Sequence, residues 1–148
     1  MPKNLIYKYD EKKTRVRTLA ATVSSGTPLL DPADSRPAVA LTNSGDSVKT
    51  VTTDDIPIGG GVTSLTYPNG GVGLIGKETT LAYDGTWEHA VTGVLTNTAN
   101  GVIVYFVAAT GLLTLTVGTA PVNATYGRID YPTDYLKRAA IAPVRIGD

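Results

Sequence analysis

The apolar and polar positions of this chain fall into short runs, each closed by glycine, proline or asparagine. Residues 14–23 set Thr14, Val16, Thr18, Ala20 and Thr22 against Arg15, Arg17, Leu19, Ala21 and Val23, and a period of two predicts a strand. Further strands are expected at 27–31, 38–41, 62–67, 72–75 and 78–83. Asp84-Gly85 carries the two-residue hairpin signal, so 86–91 is expected to return along 78–83. The continuous apolar run 102–109 predicts a strand buried on both faces. Strands at 112–117, with Leu113, Leu115 and Val117 on one face, at 127–131 and at 141–146 complete the set. Residues 43–61 read as a long polar loop and 132–140 as a short helical turn. The pattern predicts an all-β chain, a compact single-domain β-sandwich or barrel-like body over 14–148.

Composition points the same way. The chain has 148 residues, room for one domain with tails, and only 18% are charged against about 25% in ordinary soluble chains. Threonine (22), glycine (16) and proline (9) fill the gap, which suits strands and turns. With no cysteine, a disulfide framework, a thiolate zinc site and a cysteine nucleophile are excluded. With one histidine, a multi-histidine metal site within one chain is excluded, and no cofactor is expected. No apolar run approaches the roughly 20 residues of a membrane helix, and no signal-peptide stretch opens the chain. A soluble protein of a reducing cytoplasm is expected, without a membrane partner.

The zero net charge is not evenly spread. Residues 1–17 hold six basic groups against two acids, residues 18–127 three against eight, and residues 128–148 four against three. The three segments are therefore +4, −5 and +1. No overall basic footprint for nucleic acid exists. From His89 to Gly127, 39 residues pass without a formal charge. The stretch reads either as core sheet or as surface covered by another subunit, since interface cores are depleted in charge. Threonine and asparagine can satisfy a solvent face without charge, which favours the first reading.

Residues 1–13 do not pattern as a folded element, yet they carry Leu5, Ile6, Tyr7 and Tyr9 among lysines. They read as an extended arm that orders on a partner, with the apolar side chains as anchors and the lysines as steering charge. Catalytic readings are weak. Gly59-Gly60-Gly61 lacks the Lys-Ser or Lys-Thr and the helix that a phosphate cradle needs. Glu88 and His89 are neighbours, so in a strand they face opposite sides. No enzyme is expected. Tyr7, Tyr9, Tyr131 and Tyr135 gather with basic residues near the two ends, which marks the ends as the partner surface.

Three stretches carry a family resemblance: Thr27-Pro28-Leu29-Leu30-Asp31, residues 81–95 with Tyr83-Asp84-Gly85 and Gly93-Val94-Leu95, and residues 137–147 with Pro143-Val144-Arg145-Ile146. Together they resemble the head decoration proteins of tailed bacteriophages of the lambda type. Residues 127–132 through the end are also similar to capsid decoration proteins of phages of actinobacteria. The long 43–76 region departs from the lambda pattern. The resemblance implies a compact, β-tulip-like body on the exterior of the expanded virion capsid, often a homotrimer, assembled in the bacterial host cytoplasm. It implies an N-terminal segment, here Lys3, Asn4, Leu5, Ile6, Tyr7, Lys8 and Tyr9, that adds to a sheet of the major capsid protein. Arg15, Arg17, Tyr131, Tyr135 and Arg138 are the expected further subunit or capsid contacts. Two other readings stand beside it. One is a carbohydrate- or host-surface-binding module, with Trp87 stacking on a sugar; the other is a tail-tube or connector subunit.

Overall fold

The structure, a computed structural model, describes residues 5–7, 13–44, 48–52, 64–68, 77–119 and 122–147. Its strands are β1 (Leu5–Tyr7), β2 (Thr14–Thr18), β3 (Pro28–Leu30), β4 (Pro37–Ala40), β5 (Val48–Thr52), β6 (Ser64–Pro68), β7 (Glu78–Ala82), β8 (Gly85–Thr92), β9 (Ile103–Val107), β10 (Leu112–Thr114), β11 (Ala124–Ile129) and β12 (Ile141–Ile146). The fold is all-β, as the pattern predicts. Strands β8, β10, β9, β11 and β12 form a closed five-stranded barrel, and β2, β7, β4 and β3 form a separate sheet in that order.

Closure rests on β8. Its one edge pairs with β12 through six successive residues, from Ile141 opposite Ala90 to Ile146 opposite Gly85. Its other edge is shared: β1 lies along Trp87 and Thr86, and β10 runs parallel at Val91 and Thr92. Alternate residues of β8 point inward, so Trp87, His89 and Val91 are buried while Glu88 and Ala90 are not. Trp87, Val91, Val104, Phe106, Leu113, Tyr126, Ile129, Val144 and Ile146 fill the barrel. Val39 and Ala82 of the four-stranded sheet pack into the same core. The Tyr126 hydroxyl donates to the Ala38 carbonyl at 2.8 Å and ties the two sheets together. Leu29, Ala38, Ala40, Leu81 and Tyr83 form a second cluster on the sheet's other side.

Five expectations need correction. Asp84-Gly85 is not a hairpin turn: β7 pairs with β2 and β4, whereas β8 belongs to the barrel. The chain changes sheet there because Leu81 and Tyr83 are claimed by one cluster and Trp87 by the other, with the Trp87 Nε1 donating to the Asp84 carbonyl at 2.9 Å. The 43–61 excursion is not all loop, since β5 pairs antiparallel with β6 from Val48–Pro68 to Thr52–Ser64. β9 is not buried equally on both faces: Val104 and Phe106 are inside, and Ile103, Tyr105 and Val107 are half-buried. Residues 132–140 form no helix; Asp134 and Ala140 have φ near +67° and +60°, which breaks any helical run. The face expected to unite Leu113, Leu115 and Val117 grades from buried to half-buried to 46% exposed as the chain leaves β10. The expected strand at 72–75 lies outside the described residues.

Gly127 marks the tightest approach in the barrel wall. A Cβ there would meet the Arg145 carbonyl oxygen at 2.3 Å, and backbone cannot swing away as a side-chain tip can. Gly127→Ala is therefore expected to destabilise the protein by about 1–3 kcal/mol, the usual cost of overpacking. Urea denaturation should show it as a lowered midpoint with an unchanged slope.

Candidate interaction surface

The expected contact residues separate into three places. Leu5, Ile6 and Tyr7 form β1, whose backbone lies on β8 of the protein's own barrel. Lys3, Asn4, Lys8 and Tyr9 lie outside the described residues.

Arg15 and Arg17 sit on β2, an outer strand of the four-stranded sheet. Arg15 is exposed, with its guanidinium carbon 5.9 Å from the Tyr83 ring centre. Arg17 is occupied within the fold: its Nε donates to both carboxylate oxygens of Asp31, at 3.0 and 2.9 Å. Asp31 is fully buried and also accepts from the Tyr83 hydroxyl and from the Ala33 N–H at 2.9 Å. Burial alone would raise the Asp31 carboxyl, but the bonds from Tyr83, Ala33 and Arg17 together hold it below the usual carboxylate range. Tyr83, buried and bonded to that carboxylate, is pushed up to about 12. The node locks β2, β3 and the β7–β8 corner.

Tyr131, Tyr135 and Arg138 come together on the segment that leads into β12. The two tyrosine rings are 5.5 Å apart, and the Lys137 ammonium stands 4.4 Å over the Tyr131 ring. The Tyr135 hydroxyl and the Arg138 Nη2 both donate to Glu88 Oε2 on the outer face of β8, the latter at 2.8 Å. The Tyr131 hydroxyl is buried with no hydrogen-bond partner among the described residues. Beside these anchors Leu136 is 81% exposed.

The uncharged stretch from His89 to Gly127 does two things. It supplies Val104, Phe106, Leu113 and Tyr126 to the core. It also exposes Leu95, Leu112, Val117 and Val122, four of the six large apolar side chains exposed among the described residues. The β9–β10 turn between them, Ala108-Ala109-Thr110-Gly111, is exposed too. The signal was in the sequence as a charge gap, but which of its residues face outward required the barrel register.

His89 and Trp87 are inward residues. Trp87 is inaccessible to solvent and cannot stack on a sugar. Among the described residues no group of three or more His, Asp or Glu side chains could hold a metal ion. No protein-family model, curated protein or solved structure matches this chain.

Burial lowers the His89 imidazole to about 4, against a smaller upward pull from Glu88. Above pH 6.5 the ring is neutral in both folded and unfolded chains and contributes no pH dependence. As pH falls from 6.5 to about 4 the unfolded chain takes up a proton that the folded one refuses, so stability drops by up to about 3 kcal/mol. His89→Gln should flatten this slope. Denaturation midpoints between pH 7 and pH 4.5 measure it, and the Asp31 node adds its own loss only at lower pH, because its folded-state value is lowered.

Proposed function

We propose that this protein is a structural virion component that binds the outside of the expanded phage capsid and cements neighbouring major capsid subunits. The observation that carries the reading is the exposure of Leu95, Leu112, Val117 and Val122, all within the uncharged stretch that builds the barrel wall. Exposed apolar side chains in a charge-depleted stretch suit a contact with another subunit better than they suit open solvent. The basic arm suits steering to a partner of opposite sign. The motif resemblance of residues 27–31, 81–95 and 137–147 supplies the identity of that partner.

In this reading the protein works as a homotrimer, and residues 1–13 add to a sheet of the capsid protein. Strand addition supplies main-chain hydrogen bonds, and side chains at alternate positions fill pockets. β1 is three residues long with an irregular register on β8, so it gives up few bonds when it changes edges. Ordering the arm costs about 1–2 kcal/mol per backbone residue, which one arm cannot offset by a wide margin. Several arms on one oligomer make later contacts intramolecular and raise avidity by about 10²–10⁴. Binding to the assembled lattice and not to its dissociated subunits stabilises the shell by mass action.

The test is co-sedimentation of the purified protein with expanded, undecorated phage shells. The full chain is expected to co-sediment. Removal of residues 1–13, or replacement of Leu5 and Ile6 by Asp, is expected to abolish binding while leaving a folded barrel. A full-length protein that stays in the supernatant overturns the reading, and capsid binding that survives the deletion removes the arm from it.

A further inference from the structure

The first strand, β1, lies on the protein's own barrel, and its seat there is irregular. Leu5 stands opposite Trp87 and Tyr7 opposite Thr86, so two steps along β1 match one step along β8. Ile6 is the extra residue of that irregularity, and such a residue is left outside the ladder. An unbroken antiparallel register from the same Leu5–Trp87 pair would set Ile6 against Thr86 and Tyr7 against Gly85. Among the described residues β1 pairs with no strand except β8.

The root of the arm is fixed close to this seat. The Lys13 carbonyl accepts from the Tyr83 N–H at 3.2 Å, and the Lys13 ammonium stands 3.6 Å from Asp84 Oδ2. Thr14 then pairs with Ala82. From Tyr83 to Thr86 the chain spans at most about 10 Å, whereas the tether from Tyr7 to Lys13 can span about 20 Å. The tether therefore has more reach than its own barrel requires. Charge favours using that reach. Residues 1–17 carry +4 and residues 18–127 carry −5, so the arm of one copy is attracted to the body of another.

We propose that the β8 edge at Gly85–Trp87 is an interface between copies of this chain, in which β1 of one molecule pairs with β8 of a second and receives that molecule's β1 in return. A sequence that fits this edge within one chain fits it equally between chains, and exchange of an identical element is a low-cost route to an oligomer. Every copy in a closed ring gives one strand and takes one, so no seat is left empty. An unrelated extended peptide would have to displace a strand already tethered beside the edge. A short tether holds the arm near its own barrel at an effective concentration of about millimolar, so exchange at a tenth of that must recover about tenfold. One ladder hydrogen bond regained through a regular register is worth a factor of about five, and a reciprocal pair regains two, about 25-fold together. The exchange is a property of the protein alone and does not rest on the capsid reading, in which the arm leaves either seat for the shell.

The chain has no cysteine, so introduced thiols report alone. Full-length Tyr7→Cys and full-length Thr86→Cys proteins are mixed at submillimolar concentration, oxidised mildly and separated without reductant. Cross-strand partners bring their Cβ atoms close to disulfide range, and a dimer whose peptide map joins positions 7 and 86 is expected. Thr110→Cys, exposed on the β9–β10 turn, should link to Tyr7→Cys roughly tenfold less, since collision alone lacks the local concentration that pairing supplies. Sedimentation velocity of the unsubstituted protein should show a species larger than one chain that dissociates on dilution. Leu5→Pro with Tyr7→Pro removes the N–H from both paired positions and should leave single chains. Because Thr86 is buried, the sedimentation comparison decides the matter should Thr86→Cys fold poorly. Single chains at every concentration, an assembly that survives both prolines, or equal linkage to positions 86 and 110 overturns the proposal.

Discussion

The pairing of β8 with β12 is the constraint on which the rest of the structure depends. Six consecutive residue pairs join the first strand of the barrel to the last and turn an open sheet into a barrel. A closed sheet has no unpaired edge along that seam. The closure puts Trp87 and Val144 into one core and carries Arg145 alongside Arg128. It also brings the Tyr135–Arg138 segment over Glu88 on the outer face of β8. Since β8 and β12 are separated by the uncharged stretch, that stretch must form the remaining wall of the barrel.

The four-stranded sheet depends on a different device. Asp31 is buried, and its charge is matched by Arg17 and by hydrogen bonds from Tyr83 and Ala33. A buried carboxylate survives only with such partners. Tyr83 is where the two devices meet: it ends the run of β7, bonds Asp31, and supports Arg36. Its neighbour Asp84 accepts the indole N–H of Trp87. The corner between the sheets is thus held from both sides.

Much of the fold was legible in the sequence. β12 coincides with the strand expected at 141–146, and short apolar runs bounded by turn residues located β3, β4 and β6 closely, whereas the period-two run at 14–23 forms a strand only from Thr14 to Thr18. The Asp84-Gly85 pair was misleading because turn chemistry reports a local reversal, and the partner of the next strand is chosen by side chains far away in sequence. Register decided the rest. His89 lies inside and Glu88 outside, as adjacent strand residues must, but only the barrel says which is which. The bond of Arg17 to Asp31 was not legible, because the two lie fourteen positions apart and meet only through the sheet. Leu112 and Leu113 are equally apolar in sequence, yet one is 57% exposed and the other 1%.

Tight packing and exposed apolar area fall in different parts of the molecule. The barrel and the Asp31 node are rigid supports, and the uncharged loops and turns around them offer apolar area without a cost of removing charges from water. That combination supports the proposed cementing role, because several partners can be docked on one barrel. Hydrogen exchange compared between the free protein and the protein bound to expanded phage shells tests this most directly. The account predicts new protection in residues 93–99 and 108–118, with the barrel strands unchanged except along the β8 edge that β1 leaves. Unchanged exchange in both segments of the bound protein would contradict it.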